Sequence, residues 1–306
     1  MKDILKRIGF PKEAISFFAN TNNYLSKEDD EYLTSLQAMY MMRETEGKTS
    51  EEVADYVSSA LDQWADKVGM NRYTADMLFL VRCLPELKEM YAAKGLPEEM
   101  FYGIAHDLTN KLKECMTVHG VFGTFVFGWF HHHFEMKLFA LGRFQYEERE
   151  FIGDYAVVQG IELHKGDILY NFHIPSSGPL TDESRIDSYK QAYDFFKAAD
   201  KKEWNGNIVF CCSSWLLWPD NTSVYPENGN LISFYNDFEV LGSQEYDKFH
   251  DDWRVFGTHY TGDTSILPAD TTLQRNFIKH LENGGKSGGG YGIIVFDGEK
   301  VLTRKQ

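Results

Sequence analysis

His173 closes the apolar run Ile168–Ile174 and is followed at once by Pro175 and the turn Ser176-Ser177-Gly178-Pro179. A neutral imidazole at a strand end can accept a proton from an amine or hydroxyl nucleophile, since its ordinary pKa is about 6.5. A histidine that only steadies the turn through a hydrogen bond fits the same place. Upstream, Arg143, Gln145 and Glu147 fall at alternate positions of a strand-like stretch, so all three share one face. A covered face of this kind lines a cleft; an uncovered one simply meets water. His173 and Glu147 are candidate catalytic residues, and Arg143 and Gln145 are the candidates for holding substrate.

Other eye-catching clusters offer less. His131, His132 and His133 are consecutive, and neighbours on a helix or strand diverge too far to share one metal. No metal is expected. Gly284-Gly285-Lys286-Ser287-Gly288-Gly289-Gly290 resembles half of a phosphate loop, but His280 stands where the leading glycine belongs. The order of elements is reversed as well, so this tract is expected to be a flexible loop. Trp204, Trp215, Trp218 and Trp253 suit a core as well as a sugar platform.

The elements that would position these residues fall into two halves. Up to about residue 120 the periodicity is helical. Thr49-Ser50-Glu51-Glu52 is a capping box ahead of a stripe from Val53 to Val68. Further helices are predicted over 11–19, 29–44, 75–93 (with Pro85 inside) and 97–116. After Gly120, strands are predicted over 139–146, 161–163, 168–174, 207–218 and 291–296. Helices are predicted over 182–199, 230–241 and 272–281. The expected fold class is α+β: an N-terminal helical bundle (1–120) followed by a mixed α/β domain (121–306).

The 306 residues carry a net charge of −15, and no basic patch interrupts it, which argues against nucleic acid and anionic membranes as partners. No apolar stretch of the length a membrane span requires occurs. Cys83, Cys115, Cys211 and Cys212 lack zinc spacing and read as buried thiols of a reducing cytoplasm, the expected location.

Taken together, Gly142-Arg143-Phe144-Gln145-Tyr146-Glu147, His173-Ile174-Pro175, Gly178-Pro179-Leu180 and Asp187-Ser188-Tyr189 with Ala192 and Phe195-Phe196 resemble a group of bacterial acyltransferases. Members of that group have an all-helical N-terminal domain and a C-terminal domain similar to the GNAT N-acyltransferase fold. The resemblance implies transfer of an acyl group from acyl-CoA, as co-substrate, to the amine of a small-molecule acceptor. It implies that the 168–174 strand polarises the thioester through a backbone N–H. Ile174, Ser176, Ser177 and Gly178 would then lie along the coenzyme A pyrophosphate, and Tyr235 would protonate the leaving thiolate. The GNAT turn Q/R-x-x-G-x-G/A is replaced here by a turn with one glycine and no adjacent Arg. The alternative function is therefore a non-catalytic small-molecule-binding protein on a GNAT-like scaffold.

Overall fold

Thr49 accepts a hydrogen bond from the backbone N–H of Glu52, and the Glu52 carboxylate accepts one from Thr49 N–H, so the capping box closes as the sequence predicts. The computed structural model describes residues 1–42, 48–200, 202 and 204–305. Two units are distinct in it, Met1–Ala140 and Leu141–Gln306.

The first unit is helical: α1 (Lys2–Arg7), α2 (Lys12–Asn23), α3 (Lys27–Met42), α4 (Ser50–Val68), α5 (Arg72–Ala93), α6 (Glu98–Ala105), α7 (Asp107–His119) and α8 (His131–Phe134). Predicted positions 43–44 lie outside the described residues. The stripe Val53, Val57, Leu61 and Trp64 of α4 is buried, as its spacing requires, together with Leu78, Leu84 and Leu87 of α5. Helix α5 continues through Pro85, where one backbone donor is missing and the packing of Leu84 and Leu87 holds the turn. The helix predicted over 97–116 is two helices. It breaks at His106, whose ring Nδ1 bonds the Ile8 carbonyl while Thr109 Oγ1 donates to the same oxygen. The division between the units falls after Ala140 rather than near 120, because Phe127, Phe130, Phe134 and Leu138 belong to the helical core.

The second unit contains β1 (Phe139–Leu141, which straddles the junction), β2 (Phe144–Glu150), β3 (Tyr155–Val158), β4 (Ile161–His164), β5 (Ile168–His173), α9 (Asp182–Phe196), β6 (Ile208–Ser214), α10 (Asn230–Tyr235), β7 (Glu239–Glu245), α11 (Asp252–Phe256), α12 (Thr272–Glu282) and β8 (Gly288–Phe296). The main sheet has the order β1-β2-β5-β6-β8-β7, and β3 and β4 form a separate ribbon. Strands β5 and β6 are parallel neighbours, and the pairs β2–β5, β6–β8 and β7–β8 are antiparallel. Alternation gives the sheet two apolar faces. On one, Phe144, Phe172 and Phe210 pack under Tyr189 of α9 and Phe234 of α10, with Phe144 and Phe172 stacked 4.5 Å apart. On the other, Leu169, Val209, Ile293 and Val295 lie among Val158, Ile161 and Leu163 of the ribbon.

Three expectations are corrected. The helix predicted over 230–241 ends at Tyr235, and Glu239–Glu245 is instead the edge strand β7, because buried Asp237 and Phe238 turn the chain back to the sheet. Strand β6 stops at Ser214, whose hydroxyl accepts from Leu216 N–H and starts a short 3-10 turn. The glycine tract is no loop at its end: Gly288–Gly290 opens β8. These glycines allow close approach, since a Cβ at Gly290 would collide with the Leu217 carbonyl oxygen. Gly290→Ala is expected to cost about 1–3 kcal/mol through this overlap, read as a lowered midpoint in urea unfolding. An unchanged midpoint would show that Leu217 can yield.

Candidate active site

Strands β2 and β5 pair with Gln145 opposite His173 and Glu147 opposite Asn171. The pleat therefore sends all four side chains to the same face, away from α9. His173 Nε2 lies 2.8 Å from Glu147 Oε1, and Asn171 Nδ2 donates to that same oxygen at 3.1 Å. Asn171 Nδ2 and His173 Nε2 are also 3.0 Å apart. An ionised carboxylate can only accept, so the Nε2–Oε1 contact places a proton on Nε2. In the neutral ring the basic lone pair is then on Nδ1. The Asn171 amide is held from behind, where its Oδ1 accepts from Cys211 Sγ at 3.8 Å. Cys211 is the β6 partner of Asn171, and burial pushes its thiol up to about 12, so it acts as a neutral donor.

Burial grades across this row. Asn171 and Gln145 are nearly inaccessible, the Glu147 side chain is 11% exposed, and that of His173 is 24% exposed. The carboxylate is thus sheltered while the imidazole it orients reaches toward solvent, an arrangement suited to a general base.

The pairing of β5 with β6 gives this position its meaning. It comprises Tyr170–Phe210 and Asn171–Cys211, whereas β6 and β8 pair over seven positions from Ile208 to Ser214. Phe172 and His173 on one side, and Cys212 to Ser214 on the other, continue as strands without pairing to each other. The parallel ladder is therefore confined to two positions, and at the level of His173 the two strands run without pairing to each other.

Arg143 proves to be part of the turn after β5. Its guanidinium donates to the carbonyls of Pro175 (2.8 Å), Gly178 (2.7 Å) and Pro179 (3.3 Å), and to Ser177 Oγ (3.1 Å). Burial pushes its pKa down to about 10, which still leaves it charged at neutral pH. The sequence assigns it to substrate; the structure commits its donors to protein carbonyls. Its reach follows from Gly142, which has φ 68° and lies so close to α9 that a Cβ would sit 3.0 Å from Ser188 Cα. Ser188 fixes the same corner, accepting from Phe144 N–H and donating to the Leu141 carbonyl.

Ile174 is half-buried, and Ser176, Ser177 and Gly178 are exposed along the turn. With the turn's carbonyls gathered onto Arg143, this segment and the first turn of α9 suit an anionic group such as a pyrophosphate. Thr181 caps α9 by accepting from Ser184 N–H. The acidic start of α9 is offset, because Asp182 pairs with Arg185 and Arg304. The positive charge that the turn's own sequence lacks arrives from Arg143, in the turn just ahead of β2.

Tyr235 is not brought to the His173 row. Its helix packs on the opposite face of the sheet through Phe234, and the Lys305 ammonium stands 5.2 Å from its ring centroid. Burial raises its pKa, which keeps the phenol protonated. The consecutive histidines serve the helical unit. His131 Nδ1 bonds the Gly128 carbonyl, and His133 lies 3.3 Å from buried Asp107. Among the described residues, no group of three or more His, Cys, Asp or Glu side chains is placed to hold a metal ion. Likewise, no described helix is long and apolar enough to cross a membrane. Asn171 was missed from sequence, although its signal is plain: one polar residue inside an apolar strand, two positions before His173 and so on its face.

Residues 138–294 match the GNAT-like C-terminal domain, and residues 1–136 match the N-acyltransferase N-terminal domain. No curated protein matches the sequence. Among solved structures, an acyltransferase in complex with decanoyl-CoA and teicoplanin superposes with a TM-score of 0.71 at 18% identity, over 96% of this chain and 87% of that one. An acyltransferase variant in complex with octanoyl-CoA gives 0.70 at 18% identity, with the same coverages of 96% and 87%. A third, in complex with decanoyl-CoA alone, gives 0.67 at 19% identity over 95% and 86%. At this identity the likeness establishes the fold. The helical unit and the mixed sheet are thus those of an acyltransferase-like protein, and the chain belongs to the family with a GNAT-like C-terminal domain.

Proposed function

We propose that this protein transfers an acyl group from an acyl-CoA to the amine of a small-molecule acceptor. The observation that carries the reading is the Glu147–His173 pair, 2.8 Å apart, at the level where β5 and β6 run unpaired. A base is needed where the thioester carbonyl would enter, and His173, held by Glu147, would supply it. Ile174, Ser176, Ser177 and Gly178, backed by Arg143, would hold the pyrophosphate of the co-substrate. His173 would take the proton that the attacking nitrogen must lose. Glu147 would stabilise the resulting imidazolium without itself becoming protonated, and Asn171 would keep that carboxylate in line.

The acyl chains bound by the solved relatives suggest the donors to try. Calorimetric titration with octanoyl-CoA and decanoyl-CoA is expected to show one site per chain with micromolar affinity, on the order of −8 kcal/mol. Absence of binding to both would remove the co-substrate and, with it, the proposal.

A further inference from the structure

Gln145 is 3% exposed. Among the described residues no hydrogen bond joins its carboxamide to another group, and neither amide atom is fully enclosed, so the amide keeps an opening of its own. A largely buried amide whose hydrogen-bonding capacity is unspent on the protein can serve a bound group. This one is directly opposite His173 in the β2–β5 register, on the face that also carries Glu147 and Asn171. Cross-strand partners have Cβ atoms about 4.5–5.5 Å apart, so the amide and the imidazole can reach one and the same small group.

The two side chains together define what that group is. His173, with Nε2 protonated toward Glu147, offers a lone pair on Nδ1. Gln145 offers a second acceptor, its carbonyl Oε1. A neutral primary amine has two N–H donors and one lone pair. With one N–H on His173 and the other on Gln145, its lone pair is left aimed at an electrophile. A hydroxyl has a single donor. If it serves His173, the buried Gln145 carbonyl is left unsatisfied, the situation in which polar sites reject the wrong substrate most strongly.

We infer that Gln145 selects a primary amine over a hydroxyl as the acyl acceptor; this rests on the acyl-transfer reading above. In the step itself the nitrogen lone pair forms the N–C bond to the thioester carbonyl carbon and the C–S bond breaks. The nitrogen's proton passes to His173 and then to the departing sulfur, giving an amide and a free thiol with no change of oxidation state. Gln145 holds the second N–H throughout and exchanges no proton.

The test compares hexylamine with hexanol as acceptors and decanoyl-CoA as donor, with amide and ester quantified by mass spectrometry. Q145M keeps the side chain's length and removes its carbonyl. It is expected to lower kcat/KM for hexylamine by about 10-fold or more and, by removing the carbonyl that a hydroxyl leaves unsatisfied, to raise ester formation, so the amine-to-alcohol ratio collapses. Q145N withdraws the carbonyl by one methylene and is expected to reduce the same ratio, which covers the case of a Q145M that does not fold. Equal effects on both acceptors, no effect on either, or a wild-type protein that binds decanoyl-CoA yet forms no amide would each overturn the inference. Failure of the wild type to bind decanoyl-CoA at all is a different result, and it refutes the acyl-transfer reading instead.

Discussion

His173→Ala is expected to lower kcat for acyl transfer by about 100- to 10,000-fold, the range that a positioned general base supplies. KM for the acyl-CoA should stay the same, because the base meets the nucleophile and not the nucleotide. Glu147→Gln is the sharper experiment. The carboxylate only accepts, and it thereby places the proton on His173 Nε2. A glutamine at this position can turn its amide N–H toward Nε2, which favours the tautomer with the proton on Nδ1. The ring would stay in place and lose its basic face, a loss on the order of 10,000-fold in the analogous case of an imidazole held by a carboxylate. The two losses should not add: His173→Ala combined with Glu147→Gln is expected to be no slower than the worse single variant, as residues acting as one unit behave. Single-turnover measurement of thiol release from decanoyl-CoA with a primary amine reads all three. Rates within about threefold of wild type for both single variants would leave the pair a structural hydrogen bond only.

How much of this was legible beforehand follows from the range over which each feature is determined. The α4 cap, the α4 stripe and the Ile168–Phe196 strand-turn-helix depend on residues a few positions apart, and their pattern predicts them. The face shared by Arg143, Gln145 and Glu147 also follows from local alternation. The meeting of Glu147 with His173 does not. It depends on the β2–β5 register, set by packing across the sheet, where a slip of one residue would send Glu147 to the other face. Arg143 shows the same limit from the other side. Its face was readable, but its partners at 175–179 are more than thirty positions away, and they are what turn a candidate substrate ligand into a brace. The residues Glu239–Glu245 carry almost no pattern, since an edge strand with most side chains in solvent has little to alternate. Gly288–Gly290 misleads for a physical reason. Glycine is the usual mark of a loop, and here it marks backbones packed too closely for any side chain.

Asp237→Asn is expected to produce the largest loss of stability in the second unit, about 3–5 kcal/mol. Asp237 and Arg185 are both fully buried, with Arg185 Nε donating to Asp237 Oδ2 at 2.8 Å. Arg304 Nε donates to Oδ1 at 2.7 Å, and the Thr303 hydroxyl donates to the Asp237 backbone carbonyl. One carboxylate thus ties together α9, the end of α10 and the C-terminal residues. Removing its charge leaves the buried Arg185 guanidinium with the exposed Asp182 carboxylate, 3.2 Å away, as its remaining recorded counter-ion, and the poorly compensated buried charge is the main cost, more than the lost attraction. The contrast is Arg304→Met. The Arg304 side chain is one-third exposed, so water can take over its role, and its loss should cost about 1 kcal/mol or less. Replacing Arg185 and Asp237 together by apolar residues should recover much of the single-variant loss, because no buried charge then remains. Thermal unfolding separates these cases: a drop of about 10 °C for Asp237→Asn is expected from the usual scaling for units of this size, against a few degrees for Arg304→Met. The same variant connects to function, since Arg185 also donates to the Leu180 carbonyl at the end of the turn that Arg143 braces. Asp237→Asn should therefore weaken acyl-CoA binding below its unfolding temperature while leaving the Glu147–His173 pair intact. An equal drop for Asp237→Asn and Arg304→Met would refute the account of the buried charge.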